Sequence, residues 1–355
     1  MQVVQGLQGE DPQYLKVSAA PKHFTVYDGP ESGQPGAPGG RMGFNAKVPA
    51  EDLDQTWLNH WRATVQGSGV HPLGGLMCSY SALDNVPMCG NRKMLTDKLR
   101  TEWGFEGWVV SDCGAVANIA SAHHFVNSSA EAAALALSAG CDIECGGLYN
   151  STLPTTIKNG SYSNGEADVD TSLFRIYTQQ FALGVFDDPA RNPYDSLGAA
   201  DVDTAAHRQL AREAAQQSAV LLANVGEVLP LDLSKIKTLA VLGPSANDTA
   251  GYDRCWQAGG GGCLYSHIYR GYSSFVTTPL MGIMAAIAGT SIKLTFASGV
   301  PDRTGSDTSG IAAAVALADA ADAVIVVVGL DEHLEVSILH FTCYSGFLLS
   351  PLTPF

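Results

Sequence analysis

Short apolar runs, each ending in polar or glycine-rich residues, recur through residues 1–186. Leu15-Lys-Val-Ser-Ala-Ala leads to Lys22-His23-Phe24, and Gly75-Leu76-Met77-Cys78 leads to Ser79-Tyr80-Ser81. Trp108-Val109-Val110 ends in Ser111-Asp112-Cys113-Gly114, and Ala139-Gly140-Cys141-Asp142-Ile143 ends in Glu144-Cys145-Gly146. Brief apolar runs bounded by turn formers predict buried strands. Between them, residues 92–103 carry Met94, Leu95 and Leu99 at helical spacing, and residues 129–139 are alanine-rich with Glu131 near the start. Both predict helices. Strands alternating with helices imply a parallel α/β barrel or open sheet. A closed eight-stranded barrel takes about 250 residues, so four such units amount to half of one.

Residues 31–40 form a Gly/Pro loop that could wall a cleft. Residues 187–205 are rich in Pro and Asp and read as a linker, followed by a helix over 204–222. A second α/β pattern then begins. Thr238-Leu-Ala-Val-Leu242, residues 292–296 and residues 323–328 predict strands, with a helix over 312–321. Three such strands imply an open parallel sheet. The sequence therefore divides into a partial (β/α) barrel at 1–186, a linker and first helix at 187–215, a partial α/β sandwich at 216–336 and a tail at 337–355. The tail has neither a helical nor a strand period and does not read as more of the same sheet.

Composition narrows the function. The net charge of −15 disfavours nucleic acid as a partner, because phosphate binding needs basic patches. No apolar run approaches the roughly 20 residues of a membrane helix. Sequons at Asn127, Asn150, Asn159 and Asn247, with low overall charge, point to a secreted glycoprotein. Met1-Gln-Val-Val-Gln-Gly lacks the basic and apolar regions of a signal peptide, so the start is expected to lie further upstream. Cys78/Cys89, Cys141/Cys145 and Cys255/Cys263 are spaced to pair or to remain as buried thiols. No Cys/His grouping has zinc spacing, and no cofactor or metal is expected. Gly243-Pro-Ser-Ala follows a predicted strand without the Gly-x-Gly-x-x-Gly of a dinucleotide site.

The chemistry gathers at strand ends. Asp112 follows Trp108-Val109-Val110 directly, on the rim where barrel enzymes carry their catalytic groups. Taken alone, an Asp there more commonly caps the next helix. Lys22-His23 at another strand end shifts the balance, since cationic or hydrogen-bonding neighbours keep a carboxylate ionised. Tyr80 can bond a ligand or lid the core with its hydroxyl outside. Trp103 and Trp108 read as core. Asp142 and Glu144 could form a second carboxylate pair or serve as turn and cap residues.

Several motifs in this order resemble glycoside hydrolase family 3. They are Lys22-His23-Phe24, Met77-Cys-Ser-Tyr80, Trp103-Gly-Phe-x-Gly-x-Val-Val-Ser-Asp112 and Ala139-Gly-Cys-Asp142. Ala211-Arg-Glu-Ala-Ala, Val220-Leu-Leu-Ala-Asn224, Leu229-Pro-Leu231 and Val241-Leu-Gly-Pro244 continue the likeness in the second half. Leu7-Gln-Gly, Tyr27-Asp28, Ser111-Asp-Cys and Gly329-Leu-Asp331 lean towards the β-xylosidase-like branch. The resemblance implies the C-terminal half of a (β/α)8 barrel followed by an α/β sandwich. It implies a retaining, exo-acting β-glycosidase for β-linked oligosaccharides or aryl and alkyl glycosides, chiefly β-D-xylosides. β-Glucosides, or sugar binding without turnover, are the alternatives. Asp112 matches the nucleophile, and Lys22, His23, Met77 and Tyr80 match residues lining the terminal sugar subsite.

The resemblance also implies a second carboxylate, within a Glu-x-Glu run after Gly329-Leu-Asp331. Glu335 matches the first Glu of that run, but Ser337 stands where the acid/base is expected. Glu335 is therefore a candidate by proximity and Glu332 a weaker one, and both also read as exposed loop charges. The departure at Val336-Ser337 is what a common intron start would encode, so we expect an unspliced intron there. Sequencing the transcript across this junction tests it. By the same resemblance the first barrel strands should precede Met1. The chain alone is then expected to be nearly inactive and poorly soluble, with strand edges exposed.

Overall fold

The protein is described here by a computed structural model covering residues 1–29, 40–67, 69–247, 276–300, 307–329 and 347–350. It is an α/β fold that divides into two compact units, Met1–Ala211 and Arg212–Phe355.

In the first unit, β1 (Asn45–Ala46) lies parallel to β3 (Ala82–Leu83), which turns back on β4 (Val86–Pro87). Between β1 and β3 in the chain comes β2 (Gly75–Cys78), which pairs in parallel with β5 (Trp108–Ser111), Gly75 opposite Trp108 and Cys78 opposite Ser111. Parallel bridges extend this pair on both sides, Phe24 to Cys78 and Val110 to Ile143. Four successive chain passages thus run side by side in sequence order, with their C-terminal ends at one edge.

Two of the predicted strands are reduced to these bridges, for identifiable reasons. Residues 15–20 form no ladder, although Gly75 N–H donates to the Ala19 carbonyl at 3.0 Å. Pro21, next in line, accepts from Met77 N–H but has no N–H to return. At 139–143 the preceding helix runs to Ala139 and turns at Gly140, whose φ is 100°. Asp142 then takes the Val109 N–H with its carboxylate Oδ2, at 2.8 Å, instead of with a ladder carbonyl.

The helices follow the predicted spacing closely. Lys93–Glu102 buries Met94, Leu95 and Leu99. Ser129–Ala139 is capped by Ser128, whose Oγ accepts from Glu131 N–H, while the Glu131 carboxylate reaches back to Asn127 N–H. That helix packs Ala132 and Ala136 on a core shared with Phe24, Leu76, Val109, Val116 and Ile119, all fully buried. Leu76 and Val109 therefore face the helices. Met77 and Val110, half-buried, face the other side of the strand pair.

In the second unit β6 (Thr238–Leu242) is central, with β7 (Lys293–Ala297) and β8 (Ala323–Val327) parallel on either side. Its residues alternate between two cores. Leu239 and Val241 meet Leu280 and Val327, whereas Ala240 and Leu242 meet Ala314 and Val324. Burial on both faces explains the unbroken apolar run in the sequence. Asp322 fastens the start of β6, accepting from Lys237 and Thr238 N–H at 2.8 Å each. β9 (Phe347–Ser350) adds an antiparallel edge strand to β8, because backbone pairing needs no side-chain period.

Candidate active site

The C-terminal edge of the four parallel passages brings Asp112, His23 and Tyr80 together. Asp112 N–H donates to the Cys78 carbonyl at 3.0 Å, ending the β2–β5 ladder. The following helix, Ala115–Ser121, starts at Gly114 in a left-handed conformation with no side-chain cap. The Asp112 carboxylate is thus not spent on a helix cap. Its Oδ1 accepts from Cys113 N–H at 2.8 Å, and its Oδ2 lies 3.2 Å from His23 Nε2. Both side chains are mostly buried yet reachable, at 14% and 20% exposure.

Burial pushes the Asp112 carboxyl up. The hydrogen bonds from His23 and the Cys113 N–H, with a smaller contribution from the neighbouring Tyr80, outweigh it and hold the group below its ordinary value of 3.8. Asp112 is ionised at neutral pH. Tyr80 is affected in the opposite sense. Burial, then the Asp112 charge and hydrogen bond, push its phenol to about 12, with Arg41 opposing. Tyr80 therefore stays a proton donor, and its hydroxyl donates to the Cys113 carbonyl at 2.6 Å.

Other residues frame this trio. Lys22 is exposed, one residue before His23, and Met77 is half-buried on β2. Tyr27 stacks edge-on to His23 with centroids 4.8 Å apart, and Arg41 sits 5.6 Å over the Tyr80 ring. His123 Nε2 bonds the Tyr80 carbonyl at 2.7 Å, and burial lowers its pKa, so it is neutral at pH 7. Arg41 and His123 were not singled out from sequence. Neither belongs to a strand or to the strand-end motifs that drew attention to the trio.

Asp142 and Glu144 do not form a second carboxylate pair. Asp142 is fully buried between Arg100 and Arg175, 2.7 Å from each guanidinium. Glu144 accepts from Tyr149 N–H at the start of the helix Leu148–Lys158. Glu332 and Glu335 lie outside the described residues, as do Cys255 and Cys263.

Cysteine pairing departs from the local spacing. Of the alternatives the spacing left open, Cys78 and Cys89 pair, but Cys145 joins Cys113, leaving Cys141 a buried thiol. The reason is direction. Cys113 and Cys145 follow adjacent parallel passages and meet at their common edge, whereas Cys141 points into the core. The sulfurs of Cys78, Cys89 and Cys141 lie within 4.8 Å of one another, but the bridge removes two of the thiolates a metal would need. Asn127, Asn150, Asn159 and Asn247 are all exposed. Among the described residues no helix is long and apolar enough to cross a membrane.

The fold and this edge define an α/β protein with an ionised carboxylate held at a strand end. Comparison with known proteins is more specific. The profile described as "Glycosyl hydrolase family 3 N terminal domain" matches residues 1–179, and that of the C-terminal domain matches 219–340. The chain belongs to glycosyl hydrolase family 3. It is 38% identical over 341 residues to the exo-1,4-β-xylosidase bxlB of Emericella nidulans, covering 94% of this chain and 40% of that protein. It is 35% identical over 336 residues to the β-xylosidase/α-L-arabinofuranosidase 2 of Medicago sativa subsp. varia, with the same coverage. Among solved structures it is similar to the exo-β-xylosidase XlnD with a xylobiose aziridine probe. There the TM-score is 0.78 at 29% identity, over 92% of this chain and 39% of that one. The Listeria innocua β-glucosidase with glucose gives 0.70 at 26%, over 92% and 41%. The chain thus spans about two fifths of the length of these relatives.

Proposed function

We propose that this protein is a retaining exo-acting β-glycosidase that releases a terminal non-reducing sugar, chiefly D-xylose, through a glycosyl-Asp112 ester. The observation that carries this reading is the Asp112 carboxylate itself. It is ionised, reachable, and turned away from the next helix towards His23 and Tyr80. In the first step a carboxylate oxygen attacks the anomeric carbon as the glycosidic bond breaks, and the leaving oxygen takes a proton from a second carboxylic acid. In the second step that group removes a proton from water, which attacks the ester and frees Asp112 with overall retention. The second carboxylate would lie about 5 Å away, and Glu335 is the candidate by position in the sequence.

In this reading the four parallel passages form the later half of a (β/α)8 barrel. Lys22, His23, Met77 and Tyr80 bind the hydroxyls and ring face of the terminal sugar. The relatives named as xylosidases support xylose, and the β-glucosidase likeness supports glucose as the second choice. Secretion and N-glycosylation at Asn127, Asn150, Asn159 and Asn247 belong to the same proposal, supported by the exposure of all four.

The test is trapping. A 2-deoxy-2-fluoro-β-xyloside with a dinitrophenolate leaving group should add one glycosyl mass to the peptide holding Asp112, with one equivalent of phenolate released. Label on another residue, or none, would overturn the assignment and leave sugar binding without turnover.

A further inference from the structure

Residue 113 makes three attachments of different kinds. Its N–H holds Asp112 Oδ1 at 2.8 Å, its carbonyl accepts the Tyr80 hydroxyl at 2.6 Å, and its sulfur is bonded to Cys145. Cys145 is itself fixed on both sides. Its N–H donates to Ser111 Oγ at 3.0 Å, and its carbonyl accepts from Gly114 N–H at 2.7 Å. One step earlier, Ser111 N–H donates to the Ile143 carbonyl at 2.8 Å. Residues 111, 113 and 114 are therefore laced to the next passage while the Asp112 N–H pairs back to Cys78, and the disulfide is the covalent member of that lacing.

We propose that the Cys113–Cys145 disulfide is a positioning element for the nucleophile, holding residue 113 where it fixes both the Asp112 carboxylate and the Tyr80 hydroxyl. This rests on the reading of Asp112 given above. Without the bridge, Cys113 sits on a loop next to Gly114, whose φ of 81° marks a turn that side chains do not stiffen. The bridge spans 32 residues, including the helices Ala115–Ser121 and Ser129–Ala139. Those helices keep their own packing, with Val116, Ile119, Ala132 and Ala136 fully buried. Opening the bridge should therefore loosen the loop and leave the core standing. Of the two disulfides among the described residues, this bridge is also the more accessible. Cys113 is exposed, whereas Cys78 and Cys89 are 0% and 1% exposed. A phosphine attacks one sulfur and breaks the S–S bond, releasing the other as a thiolate; water then hydrolyses the thiophosphonium, its oxygen leaving in the phosphine oxide and its two protons on the two thiols.

The experiment uses the protein expressed at its natural length. A water-soluble phosphine is added under native conditions, and alkylation with mass mapping identifies the opened cysteines. The rate of Asp112 labelling by the 2-fluoro-xyloside is then measured at several pH values, beside a Cys113→Ser/Cys145→Ser variant. We expect alkylation at Cys113 and Cys145 before Cys78 and Cys89. Labelling should slow by about 10-fold to 10²-fold, as for an ångström-scale misplacement of a reacting group. Its acidic limb should move up, because the carboxylate loses the Cys113 donor. Reoxidation with oxidised glutathione should restore the wild-type rate, which excludes irreversible damage, while the shifted acidic limb is the readout that a merely structural loss would not move. Labelling at the wild-type rate and pH profile with the bridge open would overturn the proposal. If the double variant fails to fold, the reduced wild-type protein decides the matter alone. A wild-type protein that never labels at Asp112 would overturn the nucleophile assignment, and this proposal with it.

Discussion

At Asp112 two opposing influences meet, and their balance sets the chemistry. Burial raises the carboxyl's pKa, whereas the His23 and Cys113 N–H donors, with Tyr80 alongside, bring it below its ordinary value. The folded carboxyl titrates lower than the same group in the unfolded chain, so the unfolded chain takes up the proton first as pH falls. Asp112 thus stabilises the fold above its unfolded value, and that contribution is lost as pH drops through the folded one. For catalysis, the acidic limb of kcat/KM should lie below the ordinary carboxylate range. His23→Ala should move that limb up, as measured by a pH-rate profile on an aryl β-xyloside. Tyr80→Phe should lower kcat, and the wild-type profile should show no basic limb from Tyr80 below about pH 12, where its phenol titrates. Asp112→Asn should cut turnover by roughly 10³-fold or more, the scale of losing a covalent catalytic group. An unchanged kcat would remove Asp112 from the mechanism. Residue type and strand-end position made Asp112 visible in the sequence. Its orientation was not, because a cap and a nucleophile demand the same residue in the same place.

Among the elements, the passage at 139–143 shows how a side chain replaces regular structure. Asp142 carries two guanidinium contacts and the Val109 N–H, tying the helices Lys93–Glu102 and Gly165–Ala182 to β5. Burial lowers the Arg100 guanidinium to about 10 against the pull of Asp142. Asp142→Ala should cost about 3–5 kcal/mol, since it strands two cations near the core. Urea unfolding of the variant checks this. Ser128→Ala, which removes only a cap, should cost about 1 kcal/mol. Equal losses for the two would mean that the Asp142 cluster is not a buried ionic tie. Helices such as Ser129–Ala139 were readable because capping and spacing are local. The two lost strands were not, because Pro21 and Asp142 act through neighbours in the sheet.

For the molecule as a whole, family membership rests on matches in both halves, while substrate preference is the property to be measured. Xylose and glucose differ by one hydroxymethyl group, so discrimination depends on a small wall near the terminal sugar. An aryl β-xyloside should exceed the matching β-glucoside in kcat/KM by roughly 10-fold or more, the range such a group commands in a fitted pocket. The reverse order would favour the glucosidase reading. Alternation of apolar runs with helical spacing sufficed to give an α/β protein with parallel strands, because burial and periodicity are properties of short segments. What only the tertiary structure decided is which strand ends lie side by side. That choice joined Cys113 to Cys145, brought His23 from 89 positions away onto Asp112, and withdrew Asp142 into the core. Each is a meeting between distant parts of the chain, fixed by strand order and by the common direction of parallel strands, which no single segment encodes.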